Sequence, residues 1–438
     1  MQGIPIQRFE NVSTDTRKLE GGELFLALKG DKHDAHDYLK QALEAGAGGL
    51  IVQSLPKETE STRVPILYVR NTLLALQALA RNYRRTCDLP VIGVTGSSGK
   101  TSTKDLLASI LRERFEVKAT VGNLNNHIGV PLTVLDIHDR HTAAIVEMGM
   151  SNPGEIELLA EIAHPTGAII TNIGSAHLGQ MKTRDAIALE KGMLAESIDS
   201  EGFVVLPAED SFCESLARRC RGRVLRGGLE TGDVRASEVA ISWEGASFTL
   251  EARGERIRVG LQVPAEHMVR NAVLAAAAGL ELGLTLEEIR HGLGECVLAG
   301  GRLHRRILNQ TRFLDDTYNA NPDSMRAALC TLASVPVEGR RIAVLGKMAE
   351  LGEETEREHL GIGAAAVENG IDILIGIGEE GGLIARGAED RIETHVFADQ
   401  EAAAAYLRSE TKPEDLVLVK GSRSARMELV LAAFSSEA

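Results

Sequence analysis

Short apolar runs alternate with stretches of helical periodicity along this chain. The runs at residues 23–28, 49–52 and 66–69 read as short strands. Residues 38–45 and 73–83 repeat their apolar positions with the period of a helix. Further on, the run opening at Val91 and those at 143–148, 167–173 and 203–206 are short for helices and predict buried strands with polar tips. A helix is predicted at 103–115, after the first of these. Residues 239–250 and 256–263 alternate like an antiparallel pair, and the Ala-rich stretch 268–284 predicts a helix. Residues 307–314, 341–346, 371–377, 395–397 and 416–420 predict strands again, with helical patterns between them. Such alternation of strand and helix means parallel sheets covered by helices. The predicted fold class is α/β.

Three regions separate by pattern: 1–86, 87–308 and 309–438, the last a second αβ unit with Rossmann-like alternation. The basic, polar stretch Arg81-Asn82-Tyr83-Arg84-Arg85-Thr86 reads as a linker between the first two. No repeat of fixed period and no heptad run is present. A length of 438 residues allows two to four domains. Aromatics are only 3%, which favours aliphatic helix–sheet packing. The net charge of −14 argues against a general nucleic-acid binder. An anionic substrate must then be met by local basic groups or metal ions. Cys87, Cys213, Cys220, Cys296 and Cys330 are scattered and lack CxxC spacing, so neither a disulfide framework nor a zinc site is expected, and a reducing cytoplasm fits. The opening MQGIPIQRFENVSTD lacks a basic segment followed by an apolar one, so no secretory signal is expected. No apolar run approaches the ~18 residues of a membrane span.

The densest chemistry lies in Val91-Ile92-Gly93-Val94-Thr95-Gly96-Ser97-Ser98-Gly99-Lys100-Thr101. An apolar run, a glycine-serine loop and a Lys-Thr pair opening a helix form a phosphate cradle: backbone N–H groups and the helix dipole face an anion. Lys100 is placed to reach the outer phosphates of a nucleoside triphosphate, and the Thr101 hydroxyl to hold Mg²⁺. The match is not strict, because Val94 stands where the common pattern has its first glycine.

Glu147 ends one predicted strand and His177 follows another. Ligands of open parallel sheets sit beyond those carboxyl ends, so Glu147 suits a metal ion and His177 a second metal or a phosphate. Asn123, Asn125 and Asn126 suit sugar or pyrophosphate recognition, and equally ordinary turn chemistry. Asp15-Thr16-Arg17 and Lys29 read either as surface charge or as a nucleotide-diphosphate contact. Asp315 through Pro322 packs acids, hydroxyls and amides more densely than a plain turn needs. Lys191, taken alone, reads as a surface lysine.

The loop Thr95-Gly96-Ser97-Ser98-Gly99-Lys100-Thr101, then Glu147, His177, Lys191, the helix with His267 and Asn271, Arg302 and Asp316, in this order, resemble the Mur ligase family. These are ATP-dependent enzymes that build peptidoglycan precursors. Within it, Asp15-Thr16-Arg17-Lys18, Phe25-Leu26-Ala27-Leu28-Lys29-Gly30, Asn125-Asn126-His127-Ile128-Gly129-Val130-Pro131, Asp316 to Met325 and Leu345 to Gly352 are most similar to the member that adds D-alanyl-D-alanine to UDP-N-acetylmuramoyl-tripeptide. One departure is Glu266-His267-Met268, where the family usually has Gly before the His and Asn after it.

The resemblance implies three domains: an N-terminal UDP-substrate domain, a central P-loop-type ATPase domain and a C-terminal Rossmann-like domain. It implies ATP and two Mg²⁺ ions as cofactors, held by Thr101, Glu147, His177 and a carbamylated Lys191. ATP would also meet Asn271, Arg302 and Asp316. The UDP-sugar falls to Asp15, Thr16, Arg17, Lys29, Asn125 and Asn126, and the dipeptide to Asn319, Asn321 and Lys347. A cytoplasmic monomer is expected. The rivals are a sister ligase adding a single amino acid, a folylpolyglutamate synthase, a non-catalytic ATP-sensing module and an ATPase that moves a partner protein.

Overall fold

The computed structural model describes residues 8–30, 32–54 and 64–436. Residues 1–7, part of the stretch read for a secretory signal, lie outside them. Among the described residues the strands form three sheets. Val12–Ser13, Leu24–Leu26, Gly49–Val52 and Ile66–Tyr68 pair in parallel in that order. The last sheet runs His304–Leu308, Thr311–Asp316, Leu416–Lys420, Arg341–Leu345, Ile373–Ile377, Glu393–Phe397. Its first pair is antiparallel and the rest parallel.

Between these lies a nine-stranded sheet. Val91–Thr95 is third from one edge, with Ala143–Glu147 on one side and Gly167–Ile170 on the other, all parallel. The chain therefore leaves this strand in opposite directions, which opens a crevice beyond its carboxyl end. Alternation within the strands separates two cores. Ile92, Val94, Ile145 and Ile169 face the helices Lys100–Leu111 and Glu266–Glu281. Val91, Val146, Ala168 and Ile170 face the other layer, with Ile156, Leu159 and Leu194. Both faces are covered, so the strands read as continuous apolar runs.

Two predicted strands are in fact hairpins. Residues 239–250 straddle Val234–Ser242 and Gly245–Ala252, joined at Trp243-Glu244. Alternation carries on across so short a turn, so the pattern conceals it. Residues 307–314 straddle His304–Leu308 and Thr311–Asp316 in the same way. There the turn residues Asn309 and Gln310 both take positive φ, 46° and 68°, as a tight hairpin demands. No glycine advertises it, and the last sheet begins before residue 309.

The predicted linker is also corrected. Arg81 to Arg84 belong to the helix Thr72–Arg84. The Arg84 guanidinium is buried and donates to the carbonyls of Ala163 (2.9 Å), Cys87 (2.7 Å) and His164 (3.2 Å). Arg81 pairs with Glu161 at 2.9 Å. These arginines fasten the helix to the central layer. The helix after the glycine loop starts at Lys100, three residues before the predicted 103.

Candidate active site

The loop from Thr95 to Lys100 is shaped by close approach to the neighbouring strand. A Cβ on Gly96, at φ 152°, would lie 1.8 Å from the Thr171 hydroxyl oxygen. One on Gly99, at φ 79°, would lie 2.8 Å from Asn271 Oδ1. Only glycine fits at either position. The strand tip after Ile170 grips the loop from the side. Ser97 N–H donates to the Asn172 carbonyl (3.1 Å) and Ser98 N–H to Asn172 Oδ1 (2.9 Å). Asn172 Nδ2 donates to Ser98 Oγ at 2.8 Å. Thr95 Oγ1 donates to the Met148 carbonyl at 2.8 Å, tying the loop to the Glu147 strand as well.

Lys100 opens the helix, and its ammonium donates to the Gly96 carbonyl at 2.7 Å. Burial depresses it below the ordinary lysine value. The charge of Glu147 opposes this, Arg302 adds to it and Glu350 opposes it. Thr101, in the same first turn, is buried. Glu147 is 2% exposed. Its Oε1 accepts from Asn125 Nδ2 at 2.8 Å, while its Oε2 is buried without a partner. Lys191 is fully buried and its Nζ also lacks a partner. Burial, with the Lys100 charge, holds its amine well below the ordinary lysine value. The adjacent Glu190 cannot serve it, because that carboxylate accepts from Gly154 and Ile156 N–H, both at 2.8 Å, at the start of a helix.

An orphaned buried carboxylate oxygen and an orphaned buried amine, each within electrostatic reach of Lys100, are costly unless a further group satisfies them. Among the described residues no three His, Cys, Asp or Glu side chains stand close enough to hold a metal.

His177 follows a strand tip at φ 67°. Its Nδ1 stands 2.8 Å from Glu350 Oε2, an ion-pair contact without hydrogen-bond alignment. Glu350 comes from the loop after Arg341–Leu345 in the last sheet. From the same side, Asp323 Oδ2 accepts from Ser175 N–H (2.6 Å) and Oγ–H (2.9 Å). Arg302 lies over the Tyr318 ring, 4.2 Å from its centre. Asp316 is paired with the buried Lys420 at 2.6 Å, their strands being neighbours in register.

Other predicted positions are committed elsewhere. Asn321 Oδ1 caps the helix Pro322–Ser334, accepting from Ser324 N–H. Asn126 Oδ1 accepts from Ile128 and Gly129 N–H. Asn319 is exposed, and Lys347 lies 3.7 Å from Glu380. Asp15 caps the turn Thr16–Lys18 and pairs with Arg17 at 2.8 Å. Lys29 lies 3.5 Å from Asp34. This last group belongs to the first sheet. The 125–131 segment packs Ile128 against that sheet and Asn125 against Glu147, so it joins the two regions. Sequence reasoning did not single out Asn172, Asp323, Glu350 or Lys420 as site residues. Asn172 had a signal, its place at the same strand tip as His177. Glu350 lies in the Leu345 to Gly352 segment.

His267, in the first turn of the helix Glu266–Glu281, is depressed to about 4 by burial, Asp316 opposing and Lys420 adding to the shift. In the unfolded chain a histidine protonates near pH ~6.5. Between these values the unfolded chain binds more protons, so this contribution is complete above the upper one and falls as pH drops towards the lower. His267→Asn is expected to flatten that part of the stability–pH curve, read from urea midpoints. An unaltered slope would count against the burial of this imidazole.

A glycine loop at a sheet's switch point, with a lysine amid buried acids and amines, defines a nucleoside-triphosphate-using α/β protein. Comparison with known proteins narrows this. The family models described as "Mur ligase family, catalytic domain", "Mur ligase middle domain" and "Mur ligase, glutamate ligase domain" match residues 8–84, 94–279 and 301–423. The UDP-N-acetylmuramoyl-tripeptide--D-alanyl-D-alanine ligase of Bacillus subtilis is 36% identical, over 96% of this chain and 92% of that one. The enzyme of the same name from Escherichia coli is also 36% identical, over 99% and 95%. A crystal structure of MurF from Acinetobacter baumannii superposes with a TM-score of 0.91 at 35% identity, covering 99% of this chain and 95% of that one. The chain belongs to the Mur ligase family.

Proposed function

We propose that this protein joins D-alanyl-D-alanine to UDP-N-acetylmuramoyl-tripeptide with ATP, in the cytoplasmic stage of peptidoglycan synthesis. The likeness to ligases of that name over almost the whole chain supports it. The observation that carries the chemistry is that Glu147 Oε2 and Lys191 Nζ, each coupled to Lys100, are both buried without a partner. The MurF ligase of Thermotoga maritima, solved in complex with ADP, has a TM-score of 0.86 at 28% identity over 97% of each chain, and supports nucleotide binding by this fold.

A carboxylate and an amine do not condense efficiently in water, because the oxygen leaving group is poor. In the proposed reaction a carboxylate oxygen of the tripeptide attacks the γ-phosphorus of ATP, giving an acyl phosphate and ADP. The free amine of the dipeptide then attacks the acyl carbon, loses a proton, and phosphate departs. Lys100 would offset the repulsion between carboxylate and γ-phosphate. Thr95 to Ser98 hold the phosphates. Thr101 and Glu147 would hold one Mg²⁺, and His177 with Lys191 a second. Bound there, the cations supply charge neutralisation for the transferring phosphoryl group. Lys191 fits this only as an anion. A neutral amine is the form that adds CO₂ and releases a proton, giving a carbamate, and burial beside Lys100 favours that form at Lys191.

Asn271, Arg302 and Asp316 are assigned to ATP, and Asn319, Asn321 and Lys347 to the dipeptide. Asp15, Thr16, Arg17, Lys29, Asn125 and Asn126 are assigned to the UDP-sugar. The lobes correspond to 1–86, 87–308 and 309–438, with the last sheet reaching back to His304, and the enzyme acts as a monomer. Among the described residues no helix is long and apolar enough to cross a membrane.

The test is phosphate release with ATP, Mg²⁺ and UDP-N-acetylmuramoyl-tripeptide, offering D-alanyl-D-alanine, D-alanine, L-lysine or L-glutamate. Release and a pentapeptide product with the dipeptide alone are expected. Release with a single amino acid instead would move the protein to a sister ligase.

A further inference from the structure

Two carboxylates from the last sheet's lobe land on one loop of the central lobe, residues 171–177. Asp323 takes the N–H and hydroxyl of Ser175, both well-formed hydrogen bonds. Glu350 meets His177 differently. Its Oε2 is 2.8 Å from Nδ1, yet the contact lacks hydrogen-bond alignment. Glu350 holds a left-handed backbone, φ 64°, to reach there, and its charge also acts on Lys100.

The distance has a second meaning. Adjacent ligand atoms on an octahedral cation with bonds of ~2.0–2.1 Å stand ~2.9 Å apart. Two ligand atoms facing each other at that separation, without a proton aligned between them, suit a shared cation as well as they suit an ion pair. There is also an electrostatic requirement. A γ-phosphate above Lys100 brings negative charge towards Glu350, and the two repel unless a cation lies between them.

We propose that Glu350 is a further ligand of the divalent-cation site, lent by the C-terminal lobe, which shares the cation with His177 and so makes lobe docking on a loaded nucleotide depend on that cation. The proposal rests on the nucleotide-binding reading above. It assigns Asp323 a different task, docking alone.

The experiment titrates Mn²⁺ into the full-length protein saturated with a non-hydrolysable ATP analogue, counting free Mn²⁺ by electron paramagnetic resonance. Wild type is expected to take up two ions per chain. Glu350→Gln, which keeps shape and removes charge, is expected to weaken the second by about tenfold, while Asp323→Asn leaves both affinities within about twofold. Small-angle scattering on the same samples is expected to show compaction on Mn²⁺ addition in wild type and less in Glu350→Gln. Wild-type affinity in both Glu350→Gln and Glu350→Ala would overturn the proposal alone. So would an equal loss in Asp323→Asn, which would make docking, not ligation, the cause. Failure of wild type to take up a second ion would overturn it together with the two-cation reading.

Discussion

Lys100→Ala is expected to abolish ligation for practical purposes, lowering kcat by roughly 10³-fold, about 4 kcal/mol of transition-state stabilisation. The reason is positional. The ammonium lies at the mouth of a loop whose backbone is fixed by Asn172, Thr171 and Met148, and among the described residues it donates to the Gly96 carbonyl alone. Burial already works against its charge, so the folded state gains little from it, and thermal unfolding of the variant should stay near wild type. A folded Lys100→Ala enzyme with near-normal turnover would remove this residue from the phosphoryl transfer.

Lys191→Met separates stability from activity more sharply. A fully buried amine with no partner costs the fold roughly 1–3 kcal/mol. A thioether of similar length carries no such cost, so the variant should unfold at the same or a higher temperature. Its ligation rate should fall by at least about 10²-fold, because no anion can then form at that position. Carbamylation adds a second readout. Stripping CO₂ from the buffer should slow wild type and bicarbonate should restore it, with no effect on the variant. An active Lys191→Met enzyme, or one that unfolds many degrees earlier, contradicts this role.

These two lysines differ in how far the sequence discloses them. Lys100 is legible because the loop, the strand before it and the helix after it are all local patterns. Lys191 is not: on periodicity alone it reads as a surface residue, and only the resemblance singled it out. Its burial comes from packing of the helix Arg184–Glu196 against the central layer, which no local pattern records. The same divide runs through the fold. Strands buried on both faces, such as Val91–Thr95 and Leu416–Lys420, were legible as apolar runs. The hairpins at Trp243 and Asn309 were not, since period-two alternation does not change across a two-residue turn. Glu350 and Asp323 are surface-like acids in the sequence. They join the site only because the last sheet's lobe is docked on the central one.

The unequal strand lengths also set where the molecule breathes. The first sheet is made of strands only two, three, four and three residues long, with few ladder bonds to break. Val91–Thr95, by contrast, is buried along its whole length between neighbours on both sides. Amide hydrogens in that strand are expected to exchange with solvent only when the central lobe unfolds as a whole, and those around Asp15 and Lys29 through small, frequent openings. The end assigned to the sugar nucleotide is thus the yielding one, and it meets a phosphate cradle that stays rigid.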